Sequence, residues 1–283
     1  MRRHLTALLA LLVGLAAPAV APAQQHRRRP AARPRISLSS YRAINQRWHS
    51  PAAIPAARFT SDGRFVLRLH SLNGLGSAEV TPERQDGGFD DAQRAEVARV
   101  LSDRRTGANA PIDRRLIDVI YQIARHFEVG QVNVVSGYRR ESRNSNHSLG
   151  RAADIVLPGV GDEAVAAYAR SIGFLGVGVY PISGFVHVDV RAHSYFWVDR
   201  SAPGRTARRS RSRSRRRRGG GMQEVHGTLA QQADARARAL GVIPLGGTAT
   251  ATAAPAHEGA DDGDGDDGDD EQPNAPQVAP SGG

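Results

Sequence analysis

The chain of 283 residues contains no cysteine, which excludes disulfide crosslinks and a lipid-bearing cysteine alike. It also lacks an apolar run long enough to span a membrane. The longest, residues 5–20, is short and broken by Pro18, with Pro22 close behind. Aromatic residues make up only 5% of the chain. None stands within the most basic stretch, so the stacking platforms of single-strand nucleic-acid binders are missing there. Without crosslinks, stability has to come from packing.

The ends of the chain are compositionally unfit to fold. Met1-Arg-Arg-His4, the apolar run and Ala21-Pro22-Ala23 follow the order of a secretory signal peptide, so residues 1–23 are expected to be a leader and the mature chain to begin at Gln24. Residues 24–35 are rich in Arg, Pro and Ala and read as a disordered lead-in. Near the other end, Arg208, Arg209, Arg211, Arg213 and Arg215 to Arg218 alternate with Ser in an expected linker over 201–222. Residues 261–271, inside an expected acidic tail over 246–283, are nearly all Asp and Gly. Residues 223–245 have helical content with a thin apolar face, closed by Pro244. The 38 basic and 28 acidic residues leave a formal net charge of +10. In an exported protein, the partner this suggests for the run from Arg208 to Arg218 is an anionic membrane surface or wall polymer. A nucleic-acid-binding protein is the rival reading that this run sustains. It is disfavoured by the leader, by the missing aromatics and by the absence of a recognition fold, so no nucleic-acid partner is expected.

One domain remains, over residues 36–200 with its core at about 60–197. Residues 36–40 and 64–70 have strand-like content around the turn Thr60-Ser-Asp-Gly63. Pro111 is placed to open a helix on which Leu116, Val119, Ile120, Ile123 and Phe127 recur at helical spacing. His126 stands beside that stripe and reads as structural or exposed rather than as a ligand. Residues 132–135 read as a buried strand, 162–172 as a helix, and 178–180 with 185–190 as a hairpin ending the domain. The expected class is α+β, a small antiparallel sheet with flanking helices and disordered termini.

Two segments carry chemistry. Ser145, His147, Gly150 and Asp154 fall within a single ten-residue run, and His187 and Asp189 sit in the apolar run Phe185-Val-His-Val-Asp189. Neutral imidazole and carboxylate suit Zn²⁺, and three protein ligands with an open fourth position make a catalytic centre. His187 and Asp189, two apart on an expected strand, share a face.

With the blocks from Leu101 to Gly107, Pro111 to Asp118, Val135 to Arg139 and Gly176 to Pro181, these segments resemble the LAS metallopeptidases. That family holds D-Ala-D-Ala carboxypeptidases, murein endopeptidases and the hedgehog domain. The resemblance is nearest to the periplasmic murein endopeptidase branch. It implies a zinc site on the sheet with His147, Asp154 and His187 as ligands, and Arg139 and Ser145 as the residues that hold the substrate's carbonyl or carboxylate. Asp189 matches a position typical of that branch. Many relatives carry a Glu or His base just before the last ligand; residues 181–186 offer no titratable group, so Asp189 and Glu141 are the candidate catalytic carboxylates. Asp189 can act either as base or as orienter of an imidazole. The loop from Arg140 to Asn144 is shorter than that branch leads one to expect, which bears on substrate choice. The implied function is an exported, zinc-dependent hydrolase of peptidoglycan stem peptides or crosslinks. A zinc-bearing module that binds peptidoglycan without cutting it is the alternative that the missing base allows.

Overall fold

A computed structural model describes residues 38–140, 145–201, 222–224 and 227–246. Four strands form the middle of its sheet: β3 (Val132–Ser136), β4 (Ala152–Val156), β5 (Leu175–Tyr180) and β6 (Phe185–Val190). They are rich in Val, Ala and Gly and buried on both faces almost throughout, as strands covered on both sides are. Outside them lie β1 (Leu67–Ser71), β2 (Ser77–Val80), β7 (Tyr195–Asp199) and β8 (Met222–Glu224), giving one eight-stranded sheet in the order β2-β1-β3-β4-β6-β5-β7-β8. Among the described residues, five α-helices accompany it: α1 (Leu38–His49), α2 (Asp91–Val100), α3 (Arg114–His126), α4 (Asp162–Ile172) and α5 (Gly227–Ala239).

The α+β class stands, with a sheet larger than the expected small one. Two of its pairings, β1 with β3 and β5 with β7, are parallel rather than antiparallel. The physical reason is the crossovers. The chain leaves β1 and returns to β3 through two helices, and β6 lies between β5 and β7 in sequence but beside only one of them in space. The 185–190 strand therefore does not end the domain. Residues 38–40 open a helix instead of continuing a strand. On α1, Tyr41, Ile44 and Trp48 at spacings of three and four give a buried stripe that the short window at 36–40 could not display. Pro111 precedes α3 without opening it: Asp113 is the cap, its carboxylate accepting from Arg115 N. The helix at 162–172 and the strand at 132–135 lie where the periodicity places them.

The core is shared between the sheet and the buried faces of α2, α3 and α4, where Val97, Leu116, Ile120, Tyr121, Ile123, Val165 and Ala169 meet Leu67, Leu69, Ile155, Val177 and Val188. α1 closes the turn between β5 and β6: Tyr41 Oη donates to Ser183 O at 3.1 Å, and Asn133 Nδ2 donates to Trp48 O at 2.9 Å. α5 is more than a marginal helix. Ala230, Ala233, Asp234 and Ala237 are buried, so its short side chains seat it closely on the domain. The expected leader and lead-in, most of the Arg/Ser linker and nearly all of the acidic tail lie outside the described residues.

Candidate metal centre

Strand pairing, and not sequence proximity, assembles the site. β4 and β6 are antiparallel neighbours in a register that sets Asp154 directly opposite His187 and Ala152 opposite Asp189. Residues directly opposite each other project to the same face with Cβ atoms about 5 Å apart, so the register alone delivers a carboxylate and an imidazole together. His147 arrives from the turn ahead of β4, where Gly150 at φ +66° reverses the chain and a Cβ would run into Pro111 O. On the other side of β6, the residues opposite Asp189 and His187 are Gly176 and Gly178. A Cβ at Gly176 would overlap the Asp189 carboxylate, and one at Gly178 the Trp197 indole. The Gly-Val-Gly spacing of β5 is therefore room made for the site's side chains.

Three atoms converge: His147 Nε2, His187 Nδ1 and Asp154 Oδ1. They lie 3.2 Å (His147–His187), 2.9 Å (His187–Asp154) and 3.5 Å (His147–Asp154) apart. All three residues are buried, and together they form a group that can hold a metal ion. Ligand atoms about 2.0–2.1 Å from a tetrahedral zinc stand about 3.3 Å from each other, and the triangle matches that spacing.

The outer atoms decide which way each ring faces. His147 Nδ1 lies 2.6 Å from Gly137 O, and a carbonyl can only accept, so Nδ1 carries the proton and Nε2 offers a lone pair. His187 Nε2 lies 2.8 Å from Asp189 Oδ2, which in the same way makes Nε2 the donor and turns Nδ1 inward. With Asp154, three electron-rich atoms face one buried point. Such a cluster needs a cation or a proton at its centre. In the metal-free chain that need appears as protonation. Burial pulls the His187 pKa down, but hydrogen bonds to Asp154 and Asp189 outweigh it and push it up to about 9. His147 is pushed the other way, by burial and by the Arg139 charge. Asp154 resists burial and stays well below the usual carboxylate range because His147 and Arg139 face it.

Each sequence-derived candidate has a defined place except one. Arg139 donates through NH2 to Asp154 Oδ2 at 2.5 Å and through Nε to Ser136 Oγ at 2.9 Å, so its contacts run to a ligand candidate and to the strand beneath. Ser145 is buried and its Oγ accepts from Ser148 N at 3.3 Å, bracing the turn that carries His147. Asp189 is wholly buried, and both oxygens are engaged twice. Oδ1 accepts from Asn146 Nδ2 (3.0 Å) and Arg191 Nε (2.6 Å), and Oδ2 from His187 Nε2 (2.8 Å) and Arg191 NH2 (3.0 Å). Against burial, the Arg191 charge and the His187 contact bring its pKa to about 2. Glu141 lies outside the described residues. His126 is stacked on Tyr168, as a structural histidine would be.

The motif reading did not single out Asn146, Asp103, Arg191 or Trp197. Asp103 accepts from Arg105 N and Thr106 N and, through Oδ2, from Arg140 N at 2.8 Å, so the block at 101–107 holds the backbone just beyond Arg139. Trp197 packs 5.2 Å from the His187 ring. Arg191 carried a signal that could have been read: on a strand, 187, 189 and 191 share a face.

A three-atom His/Asp/His set with its outer nitrogens locked, buried on a mixed α+β sheet, has the ligand number and chemistry of a catalytic zinc centre with an open fourth position. The pattern of the peptidoglycan L,D-endopeptidase MepK family matches residues 59–194. A probable peptidoglycan L,D-endopeptidase MepK of Haemophilus influenzae is 32% identical over 145 residues, which cover 44% of this chain and 74% of that protein. The peptidoglycan L,D-endopeptidase MepK of Escherichia coli K12 is 29% identical over 154 residues, 49% of this chain and 85% of the relative. No solved structure matches. The chain belongs to the peptidoglycan L,D-endopeptidase MepK family, within the murein endopeptidase branch of the LAS metallopeptidases. It is a peptidoglycan-hydrolysing metallopeptidase with zinc as its cofactor, and the non-hydrolytic alternative falls away.

Proposed function

We propose that this peptidase cuts L,D peptide bonds in peptidoglycan crosslinks, with His147, Asp154 and His187 as zinc ligands. The observation that carries the ligand assignment is the convergence of three lone pairs whose outer partners, Gly137 O, Arg139 and Asp189, leave each inner atom facing the same buried point. The bond specificity rests on the activity by which the relatives are named. Zinc held there would polarise a scissile carbonyl and lower the pKa of a bound water to about 7.

The chain's own residues supply orientation and proton handling. Asp189 acts as orienter: with four donors on its two oxygens and no exposure, it has no acceptor position open for a substrate-side proton. Arg139 holds Asp154 Oδ2 so that Oδ1 faces the ion, and its pairing argues for this role before any direct hold on substrate. Ser145 serves the same end by bracing the His147 turn. Of the two candidate carboxylates, that leaves Glu141 as base, in the short loop that begins where Asp103 grips Arg140 N.

Among the described residues, no helix is long and apolar enough to cross a membrane. With a leader over 1–23, the enzyme is exported to the periplasm or beyond, where its polymer lies, and the arginines from Arg208 to Arg218 dock it to an anionic wall or membrane surface. The deciding experiment is mass analysis of the muropeptides that the purified 24–283 chain releases from sacculi. Products cut between an L and a D centre are expected. Products trimmed only at a terminal D,D bond would replace the endopeptidase reading with a carboxypeptidase one.

A further inference from the structure

Arg191 stands just past the end of β6, four residues after His187, so His187, Asp189 and Arg191 line one face of the same extended segment. Its guanidinium forks onto both Asp189 oxygens, at 2.6 Å through Nε and 3.0 Å through NH2. The far side of that guanidinium is occupied by aromatic rings: its Cζ lies 5.5 Å from the Tyr195 centroid and 5.7 Å from that of Trp197, the ring that also packs on His187. A planar fork stacked on rings and paired with a buried carboxylate has little freedom left. The order of contacts runs from ring stack to Arg191, from Arg191 to Asp189, and from Asp189 to the Nε2–H that turns His187 Nδ1 inward.

The backbone at Arg191 is held both from within the segment that the family pattern covers and from beyond it. Arg191 N donates to Phe174 O at 2.9 Å, and Leu245 N donates to Arg191 O at 3.3 Å. Asp234, buried on α5, accepts from Phe174 N at 2.8 Å and from Ser194 N and Oγ at 2.9 and 2.6 Å, fastening the chain on both sides of that corner. α5 and Leu245 lie beyond residue 194, where the family match stops. A helix whose one buried acidic residue spends all three bonds on this corner does more than cover apolar surface.

We propose that Arg191 is a positioning residue for the metal centre and that α5, through Asp234, locks the corner from which it acts. The inference rests on His187 being a ligand. Its own content is that ligand orientation is set from the C-terminal segment.

The test uses full-length chains carrying Arg191→Gln, Arg191→Lys and Asp234→Asn, with His187→Ala as the reference for complete ligand loss. Three quantities are read: zinc affinity by chelator competition, the visible spectrum of the cobalt-substituted protein, and the melting temperature of the zinc-free chain. Removing a partner outside the coordination sphere lowers metal affinity about 10–100-fold, and that is the expected loss for Arg191→Gln, with an altered cobalt spectrum. Arg191→Lys, which keeps the charge but not the fork, should recover part of both. Asp234→Asn should shift both in the same direction by less. A merely structural role would lower the melting temperature and leave affinity and spectrum unmoved. A folded Arg191→Gln chain that binds zinc within twofold of wild type would overturn the proposal. If that variant does not fold, wild-type affinity and spectrum in Arg191→Lys would overturn it equally. Zinc retained by His187→Ala would instead strike at the ligand assignment.

Discussion

His187 and Asp189 show how much one hydrogen bond can decide. An imidazole has two nitrogens, and the carboxylate on Nε2 leaves Nδ1 as the one turned toward Asp154 and His147. His187→Ala should abolish stoichiometric zinc binding and turnover together, read by metal analysis of the purified variant; retention of both would exclude it as a ligand. Asp189→Asn should cost about 10–100-fold in turnover on sacculi with the fold intact, because an amide can present its N–H to His187 and reverse the ring's tautomer. Glu141→Gln should cost a similar factor while leaving zinc affinity unchanged, a split that separates a base from an orienter. The raised pKa of His187 also sets a pH dependence in the metal-free chain. Its folded value of about 9 exceeds the ordinary value of 6.5, so protonated His187 contributes stability that is fully present below pH 6.5 and is lost as the pH rises through 9. The melting temperature of zinc-free protein should therefore fall between pH 7 and 10. Zinc affinity should rise over the same window, since zinc has to displace that proton. A zinc-free melting temperature independent of pH there would contradict the protonated state.

At the scale of elements, the decisive fact is register. Sliding β6 by one residue against β4 would send His187 to the opposite face from Asp154, and the glycines of β5 hold the space that this register needs. Gly176→Ala makes that visible. Its methyl group meets the Asp189 carboxylate in a fully buried setting, with a neighbouring strand on each side and little freedom to yield. Loss of zinc affinity by tenfold or more is expected, together with a lower melting temperature, since overpacking a closed core costs about 1–3 kcal/mol. Unchanged zinc affinity would mean that β5 gives way more easily than its burial implies. The same element carries the two glycines that the sequence displays as a motif, and their reason is steric, not catalytic.

For the whole molecule, the segments outside the family match divide into two kinds. α1 and α5 are folded parts of the domain, bound to the β5–β6 turn and to the corner after β6. The arginines between 208 and 218, eight in number, interrupt the chain between β7 and α5 and lie outside the described residues. If they dock the enzyme, replacing those eight with serine should weaken binding to sacculi or anionic vesicles while turnover on small soluble muropeptides stays unchanged. Salt should mimic the replacement, because exposed charges are screened beyond about 8 Å at physiological ionic strength. Deleting residues 261–271 should strengthen docking by removing the acidic competitor. Equal binding by all three chains at low salt would leave both runs as solvated spacers.

The sequence by itself determined the chemistry of this protein and its broad class. His147, Asp154, His187 and Asp189 are legible as residue types at characteristic spacings, and helix α4 and strand β6 declare themselves by local periodicity, which depends only on neighbours along the chain. Tertiary structure decided the rest. That β5 and β7 run parallel, that Arg139 turns to Asp154, that Asn146 reaches Asp189, and that α5 closes the corner are contacts between residues distant in sequence. The role of Asp189, as base or as orienter, was open in the sequence for that reason. A side chain's type states what it can bind, whereas its partner is set by strand order and register, which arise from how the whole core packs.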